Sequence, residues 1–318
     1  QETCPCCRGN EHLTVEEAFR LTADDGSWLI RSVPNKFSVL SSVGEVAPRN
    51  EVLGDVVSGV GLHEVIIETP AHHLPLALFP AHHAEKLIWT YRERVRAFYA
   101  DPRIRHVILF KNHGAESGAS LQHPHSQVVG LPIVPGQVLE RADAALHYQL
   151  EHGECLVCRM IDEEARAGTR MVAENEIFTA FIPFAALSPF HIWIFPKTHA
   201  ACFAALEDGH IEHLAGILQT ILGKIYTSLD NPSFNFVIRS LAVKDVKATY
   251  FHWYISIIPR VGKAAGFELG TGMYVNPSLP EISAAFLREA SLPPTHSPHV
   301  HRPTETQSPG EDIRQQTR

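Results

Sequence analysis

The stretch that decides both fold and chemistry is His123-Pro124-His125-Ser126-Gln127. Residues two apart in a β-strand point the same way, so His123, His125 and Gln127 are predicted to line one surface. Pro124 cannot donate to a sheet ladder, which predicts a strand end or an edge strand. Neutral imidazole can attack phosphorus and leave again, and an amide can donate to a phosphoryl oxygen without adding charge. The pattern is typical of a histidine that handles phosphoryl groups. A polar strand with ordinary hydrogen-bonded histidines is the alternative.

The residues before this stretch suit an anionic ligand. They read Lys111-Asn112-His113-Gly114-Ala115-Glu116-Ser117-Gly118-Ala119-Ser120. Glycine at positions 114 and 118 and serine at position 120 let backbone N–H groups approach a negative charge closely. Together with the histidines and the amide that follow, this run favours the functional interpretation.

Two cysteine pairs have the spacing of metal ligands, and each is followed by two separated histidines. The first set is Cys4, Cys7, His72 and His123; the second is Cys155, Cys158, His199 and His252. Thiolate and neutral imidazole form closed, tetrahedral zinc sites of the structural kind, so we predict two structural zinc ions per chain. A redox pair and a disulfide framework are the alternatives, and the adjacent cysteines at positions 6 and 7 argue against the second.

The parallel spacing of these ligands suggests a duplicated unit. In the first set 51 residues separate the two histidines, and in the second set 53 separate them. Aligning His252 with His123 puts Tyr254 at the position of His125 and Ser256 at the position of Gln127. The second half therefore keeps a metal ligand but lacks the nucleophile, which predicts one catalytic centre per chain, carried by His125.

The hydrophobic patterns predict an α+β protein with antiparallel sheets packed against helices. Helices are expected at 83–100, 209–229 and 280–290, with a helical connector at 133–154. Strands are expected at 27–33, 65–68, 106–110, 126–130, 178–182, 191–195, 234–239 and 253–259. We predict a catalytic unit at 1–135, a similar unit without a nucleophile at 136–291, and a disordered tail at 292–318, where Pro, Ser, Thr, His and Gln dominate.

Composition narrows the classes of function. The chain has 318 residues, of which 45% are apolar, and its net charge is −8. This is enough material for one large domain or two moderate units. The excess of acidic over basic residues and the lack of a long basic run argue against nucleic-acid binding. No apolar run is long enough to cross a bilayer, which argues against a membrane-spanning protein. A cytoplasmic, reducing location is the expectation.

The sequence resembles the galactose-1-phosphate uridylyltransferase family of the histidine triad superfamily, over most of residues 1–290. The resemblance is carried by the 111–127 run and by Cys4-Pro5-Cys6-Cys7-Arg8-Gly9-Asn10-Glu11, Val33-Pro34-Asn35-Lys36-Phe37, Gly61-Leu62-His63-Glu64-Val65-Ile66-Ile67-Glu68-Thr69-Pro70 and Gly266-Phe267-Glu268-Leu269-Gly270-Thr271-Gly272. The second cysteine pair with its histidines is similar to the branch that includes ADP-glucose phosphorylase. A strand that precedes the first cysteine pair in well-known members has no counterpart, so we expect a truncated N-terminus or the absence of that strand.

The resemblance implies two histidine-triad-like units, a homodimer, and transfer of a nucleoside monophosphate from a sugar nucleotide to a sugar 1-phosphate, or to phosphate, through a nucleotidyl-histidine. In that scheme His125 is the nucleophile and Gln127 holds the transferred phosphoryl group. Nucleoside contacts are implied for Asn35 and Lys36, and phosphate contacts for Asn112, Gly118, Ala119 and Ser120. Contacts to the sugar end, across a dimer interface, are implied for a late glycine-rich loop with Gly266, Phe267, Thr271 and Gly272.

Three functions stay open on the sequence. The first is uridylyl transfer between UDP-glucose and a hexose 1-phosphate, and the second is adenylyl transfer from an ADP-sugar. The third is a zinc-stabilised nucleotide-binding protein without turnover, against which the intact His125 and Gln127 argue.

Overall fold

The computed structural model describes residues 3–263 and 265–294, which are built around one ten-stranded antiparallel sheet. Within the described residues the strands are β1 (Phe19–Thr22), β2 (Trp28–Pro34), β3 (Pro48–Glu51), β4 (Gly54–Val57), β5 (Leu62–Ile67), β6 (His106–His113), β7 (His125–Leu131), β8 (Met171–Glu174), β9 (Phe178–Phe181), β10 (Ile192–Pro196), β11 (Phe234–Arg239) and β12 (Tyr254–Pro259). The α-helices are α1 (Ala81–Tyr99), α2 (Gly136–His152), α3 (Leu156–Ala167), α4 (Ile211–Ser228), α5 (Gly266–Thr271) and α6 (Pro280–Glu289). Strands β3 and β4 form a separate two-stranded hairpin.

The strand order of the large sheet is symmetric about its centre. It runs β1-β2-β5-β7-β6 through the first half and β11-β12-β10-β9-β8 through the second. The halves meet where β6 pairs antiparallel with β11, and every named strand pair is antiparallel. The predicted α+β class with antiparallel strands and helices is confirmed, and the two halves share one continuous sheet. The division at residue 135 stays our proposal, and the mirrored order supports it.

Helices α1 and α4 cover one face of the sheet and pack against each other. The inward positions of α1 follow the spacing of an amphipathic helix, and its buried apolar side chains are Ala84, Leu87, Ile88, Tyr91, Val95 and Phe98. They join the main core with the buried apolar side chains of α4 and the central strands. This packing leaves the opposite face of β5, β7 and β6 to carry polar side chains. No helix in the described residues combines the length and apolar character needed to cross a bilayer.

Several elements differ from the sequence prediction. Short β1, the β3–β4 hairpin and β8 were not expected, because four-residue strands with alternating or full exposure carry little apolar signal. Helix α3 was also not expected, because the second cysteine pair lies at its start, with Cys155 directly before the helix and Cys158 in its first turn, and we interpreted this pair only as metal ligands. The late glycine-rich segment, expected to be a loop, is the short helix α5, closed by Gly272 at φ 70°.

The predicted disordered tail falls mostly outside the described part of the chain. Of its residues only 292–294 are described, and Pro293 is buried where the chain passes Gly223 of α4. The prediction for 295–318 lies outside the described residues.

Candidate active site and metal centres

His125 is the first residue of β7, between β5 and β6 in the centre of the first half. Pro124 lies immediately before the strand, in agreement with the predicted strand end. The Nδ1–H of His125 donates to the backbone oxygen of His123 at 2.9 Å, which leaves Nε2 with its lone pair. The side chain is buried, with 4% of its surface exposed, and burial lowers its pKa. The ring is therefore neutral and oriented for nucleophilic attack through Nε2.

A cavity of about 390 Å³ lies in front of His125 and is lined in part by the run at 111–120 that contains Gly114. Gly114 and Gly118 both have positive φ, 77° and 84°, which favours glycine. A Cβ atom at position 114 would lie 2.2 Å from Ser233 Oγ, so this backbone path requires a residue without a side chain. The cavity is of a size that can hold a phosphorylated ligand.

The predicted phosphate-contacting residues are placed around this cavity. Asn112, Ala119 and Ser120 line it, and Gly118 is the exposed residue directly before them. The side-chain oxygen of Asn112 accepts a hydrogen bond from Nδ2 of Asn235 at 2.7 Å. This bond leaves the amide hydrogens of Asn112 available to an anion.

Gln127 and Asn35 converge on one imidazole that the sequence prediction missed. Gln127 Oε1 lies 2.8 Å, and Asn35 Nδ2 lies 3.0 Å, from Nε2 of His63. Lys36 follows Asn35 and is exposed. A signal for His63 was present in the strand pattern. His63 lies two residues before Val65 in β5, so both side chains point to the same face, and Val65 pairs with Gln127 on β7.

The predicted sugar-contacting residues are not brought to His125 within one chain. Gly266, Phe267 and Thr271 belong to α5 and Gly272 ends it; all four are exposed, and none lines the cavity in front of His125.

The first predicted metal set is assembled in three dimensions. One side-chain atom from each of Cys4, Cys7, His72 and His123 lies within 4.8 Å of the others. The Cys7 sulfur is 3.1 Å from Nδ1 of His72 and 3.7 Å from Nδ1 of His123, and the two Nδ1 atoms are 3.3 Å apart. A tetrahedral zinc ion with bonds of about 2.1–2.3 Å separates its ligand atoms by about 3.3–3.8 Å, so the spacing fits.

Orientation of the ligands supports the same conclusion. Nε2–H of His123 donates to the backbone oxygen of Thr69 at 2.7 Å, which turns Nδ1 toward the sulfurs. Burial lowers the pKa of His123 to about 4, so the ring is neutral, as a metal ligand must be.

The second set is assembled in part. Cys155, Cys158 and His199 have ligand atoms within 4.8 Å of one another. Nδ1 of His199 lies 3.3 Å from the Cys158 sulfur, and its Nε2–H donates to the backbone oxygen of Ala248 at 3.0 Å. A hydrogen bond from Cys158 lowers the pKa of the Cys155 thiol, which favours its thiolate form.

His252 is adjacent to this group but is not one of its three members. Its ring centroid is 5.3 Å from that of His199, the same spacing that separates His72 from His123 in the first group. Its Nε2 is buried and has no hydrogen-bond partner among the described residues. A buried ring nitrogen without a partner, on a ring next to His199, is consistent with a metal ligand.

The strand of the second half that corresponds to β7 has no histidine at the position of His125. Tyr254 opens β12 as His125 opens β7, and it packs against Trp193 and Phe195, with ring centroids 5.2 and 5.0 Å away. Ser256 occupies the position of Gln127 and contacts His191, with its Oγ 2.9 Å from Nε2. These positions agree with the predicted alignment of the halves.

A buried polar network, also missed by the sequence prediction, lies beneath the start of β7. Lys111 Nζ donates to Glu68 Oε2 at 2.6 Å and to the backbone oxygen of His125 at 3.0 Å. Tyr91 donates to the other Glu68 oxygen at 2.7 Å, and Ser126 donates to it as well. Burial raises the pKa of Glu68, but the charge of Lys111 and these hydrogen bonds outweigh it, so the net pKa is lowered. The network therefore holds an ion pair directly under His125.

Comparison with known proteins gives long matches at substantial identity. The chain is 35% identical over 294 residues to ADP-glucose phosphorylase from Arabidopsis thaliana, covering 91% of this chain and 82% of that protein. It is 28% identical over 242 residues to galactose-1-phosphate uridylyltransferase from Thermotoga maritima, covering 73% of this chain and 75% of that protein. The crystal structure of the Arabidopsis thaliana ADP-glucose phosphorylase with bound ADP-glucose matches at a TM-score of 0.81 and 33% identity, over 92% of this chain and 90% of that one. A family model described as "Domain of unknown function (DUF4931) N-terminal domain" matches residues 55–134.

The fold and these similarities define a nucleotidyltransferase. The chain belongs to the family of galactose-1-phosphate uridylyltransferase and ADP-glucose phosphorylase.

Proposed function

We propose that the protein moves a nucleoside monophosphate from a sugar nucleotide to a phosphate-bearing acceptor through a covalent intermediate on His125. The observation that carries this proposal is the orientation of His125. Its Nδ1 is committed to the backbone oxygen of His123, and Nε2 is left with a free lone pair at the wall of the cavity. Such a nitrogen can attack phosphorus at neutral pH without prior loss of a proton.

The reaction has two balanced steps. Nε2 of His125 attacks the α-phosphorus of the sugar nucleotide, a P–N bond forms, and the bond from phosphorus to the bridging oxygen breaks. The sugar 1-phosphate leaves with that electron pair. An acceptor phosphate oxygen then attacks the same phosphorus, the P–N bond breaks, and neutral His125 is regenerated. The backbone oxygen of His123 stabilises the positive charge that develops on the ring during the intermediate, because it accepts the Nδ1–H hydrogen bond.

Two donors are candidates for this chemistry. Uridylyl transfer from UDP-glucose to a hexose 1-phosphate is the function that the family resemblance indicated first. Adenylyl transfer from an ADP-sugar to phosphate is the second candidate, and the longer match at 35% identity to an ADP-glucose phosphorylase favours it.

The test is a matrix of donors and acceptors. UDP-glucose or ADP-glucose with a labelled sugar is incubated with hexose 1-phosphate, inorganic phosphate or no acceptor. Release of labelled glucose 1-phosphate that depends on the enzyme supports nucleotidyl transfer, and the productive pair identifies the base and the acceptor. Absence of release with every pair would contradict the proposal and leave a binding protein without turnover.

The residues around the cavity are assigned by the same proposal. Asn112, Gly118, Ala119 and Ser120 contact the phosphates, and Asn35 and Lys36 contact the nucleoside. Proximity to the cavity or to Gln127 supports all of these assignments except that of the exposed Lys36.

We assign the sugar end to a second copy of the chain. Gly266, Phe267, Thr271 and Gly272 are exposed and do not line the cavity of their own chain, which supports a role across a homodimer interface. Sedimentation of the protein as a single chain would contradict this assignment.

Gln127→Ala is expected to lower turnover in both half-reactions by about a hundredfold or more, as when one preorganised oxyanion donor is removed. The reason is that its amide donates to a non-bridging oxygen whose charge grows as the P–N bond forms. Stopped-flow measurement of each half-reaction checks the rate, and thermal melting is the control. A sharp fall in melting temperature with full turnover per folded molecule would instead identify a structural residue.

We also propose that each chain holds two structural zinc ions. Cys4, Cys7, His72 and His123 hold the first. Cys155, Cys158, His199 and His252 hold the second, and the orphaned ring nitrogen of His252 supports its inclusion. Closed sites with four protein ligands contribute folding energy and leave no position for substrate.

Metal analysis of the purified protein is expected to give two zinc ions per chain. Cys158→Ser and His252→Ala should each reduce the count to one and lower the melting temperature, because the second site then lacks a ligand. Turnover per folded molecule should change little. The matched control is Cys202→Ser, since Cys202 is a buried thiol in neither group. Unchanged zinc content in both ligand variants, or freely reactive Cys155 and Cys158 thiols in the native protein, would contradict the second site.

We retain the cytoplasmic location as a prediction. It is favoured by the proposed use of four cysteines as thiolate ligands, which a reducing compartment preserves. Fractionation of the native cells checks it, and recovery of the protein from an oxidising compartment would contradict it.

A further inference from the structure

The imidazole of His63 contacts the amide of Gln127, and the proposed function does not use it. Its Nε2 lies 2.8 Å from Gln127 Oε1, and only 8% of the side chain surface is exposed. The two residues sit on neighbouring strands, where Gln127 pairs with Val65, two residues after His63. The contact is therefore built into the register of β5 and β7.

The position of the imidazole hydrogen follows from the second ring nitrogen. The backbone N–H of Val39 donates to Nδ1 of His63 at 3.4 Å, so Nδ1 is the acceptor. Burial lowers the pKa of His63 and keeps the ring neutral, with one hydrogen only. Nε2 has two side-chain neighbours, Gln127 Oε1 at 2.8 Å and the amide nitrogen of Asn35 at 3.0 Å. Because Nδ1 accepts from Val39, the hydrogen is on Nε2, and of these two neighbours the Gln127 oxygen is the acceptor to which it donates.

We propose that His63 is a positioning residue that orients the amide of Gln127 so that its N–H groups face the phosphoryl group on His125. This inference rests on the proposed function. An amide is nearly symmetric in shape, so without a donor on Oε1 it can make a half-turn and present its oxygen to the phosphoryl oxygens. That orientation is repulsive, and it opposes the charge development that Gln127 stabilises in the other orientation.

The second half of the chain provides an internal comparison. His191 Nε2 lies 2.9 Å from Ser256 Oγ, and Ser256 pairs with Trp193, two residues after His191. The geometry repeats that of His63, Gln127 and Val65, but a hydroxyl has no second end to orient. His191, with 2% of its surface exposed, is therefore a matched control: it has similar burial and a similar contact, without the catalytic amide.

The test is a double-mutant cycle on the two half-reactions. His63→Phe keeps a ring of similar size but removes the donor, and we expect kcat to fall about tenfold or more, by analogy with loss of a preorganised donor. In the Gln127→Ala background the same substitution should cause no further fall, because there is no amide to orient. His63→Gln, which restores an N–H donor, should recover most of the lost rate. His191→Phe should lower the melting temperature but leave turnover per folded molecule unchanged.

Two results separate failure of this inference from failure of the proposed function. If His63→Phe lowers kcat by the same factor with and without Gln127, His63 is structural and the inference is overturned. If the phenylalanine variant does not fold, His63→Gln is compared in the same two backgrounds, with the same criterion. Labelled nucleotide on His125 of the wild type would then still support the proposed function. If the wild type forms no nucleotidyl-histidine with either donor, both are overturned.

Discussion

His125→Asn is expected to abolish exchange of label between sugar nucleotide and sugar phosphate, by at least about four orders of magnitude. Asparagine can keep a polar group near the backbone oxygen of His123, but the lone pair of its amide nitrogen is delocalised into the carbonyl group and cannot attack phosphorus. Binding and positioning by the remaining residues cannot replace the covalent step. The measurement is label exchange by each donor with its sugar 1-phosphate.

The matched control is Tyr254→Phe, at the corresponding position of the second half. It should leave exchange unchanged, because the proposed mechanism uses His125 alone as nucleophile and Tyr254 makes mainly ring contacts with Trp193 and Phe195. Both variants should retain their zinc and their melting temperature. Normal turnover in His125→Asn would remove the covalent mechanism.

The second large effect is expected on stability. Lys111→Met should lower the free energy of unfolding by about 3–5 kcal/mol, because it leaves the carboxylate of Glu68 buried without its cation. The side chains of Lys111 and Glu68 are 1% and 0% exposed, so water cannot replace the lost charge. Urea unfolding with a common slope checks the value.

A compensating substitution tests the cause of this effect. Glu68→Gln in the Lys111→Met background removes the uncompensated charge and still offers an oxygen to the Tyr91 hydroxyl. The double variant should therefore recover a large part of the lost stability. If the double variant is as unstable as the sum of the single variants, the ion pair is not the reason for the effect.

Local sequence patterns predicted the parts of the fold that depend on neighbouring residues. Strand alternation predicted that His125 and Ser126 lie on opposite faces, and Pro124 indicated the start of the strand. The cysteine and histidine spacing predicted the first metal group, because closed zinc sites need a fixed set of ligand types. The amphipathic spacing of α1 and α4 predicted their existence, although both begin two residues away from the expected positions.

The parts that could not be predicted depend on long-range register. The contact of His63 with Gln127 requires the pairing of β5 with β7, and 64 residues separate the two side chains in sequence. The same holds for Lys111 and Glu68, 43 residues apart, whose charges indicate surface positions until the strands are paired. The continuous sheet was also not foreseen, because edge-to-edge pairing of β6 with β11 leaves no local signal.

The mirrored strand order allows equivalent positions of the two halves to be compared. In the first half, His63 lies two residues before Val65, which pairs with Gln127. In the second half, His191 lies two residues before Trp193, which pairs with Ser256. Only the first half combines such a histidine with Gln127 and His125. The second half has Ser256 and Tyr254 at the equivalent positions, and the Tyr254 ring packs against Trp193 and Phe195.

The most direct test of the central claim is to trap the intermediate. The wild-type protein is mixed with UDP-glucose or ADP-glucose labelled on the α-phosphorus, without acceptor, then denatured and digested. We predict that label is retained on one peptide, that mass spectrometry locates the nucleoside monophosphate on His125, and that addition of the acceptor before denaturation removes it. Turnover with no label on His125, or label on another residue, would contradict the account.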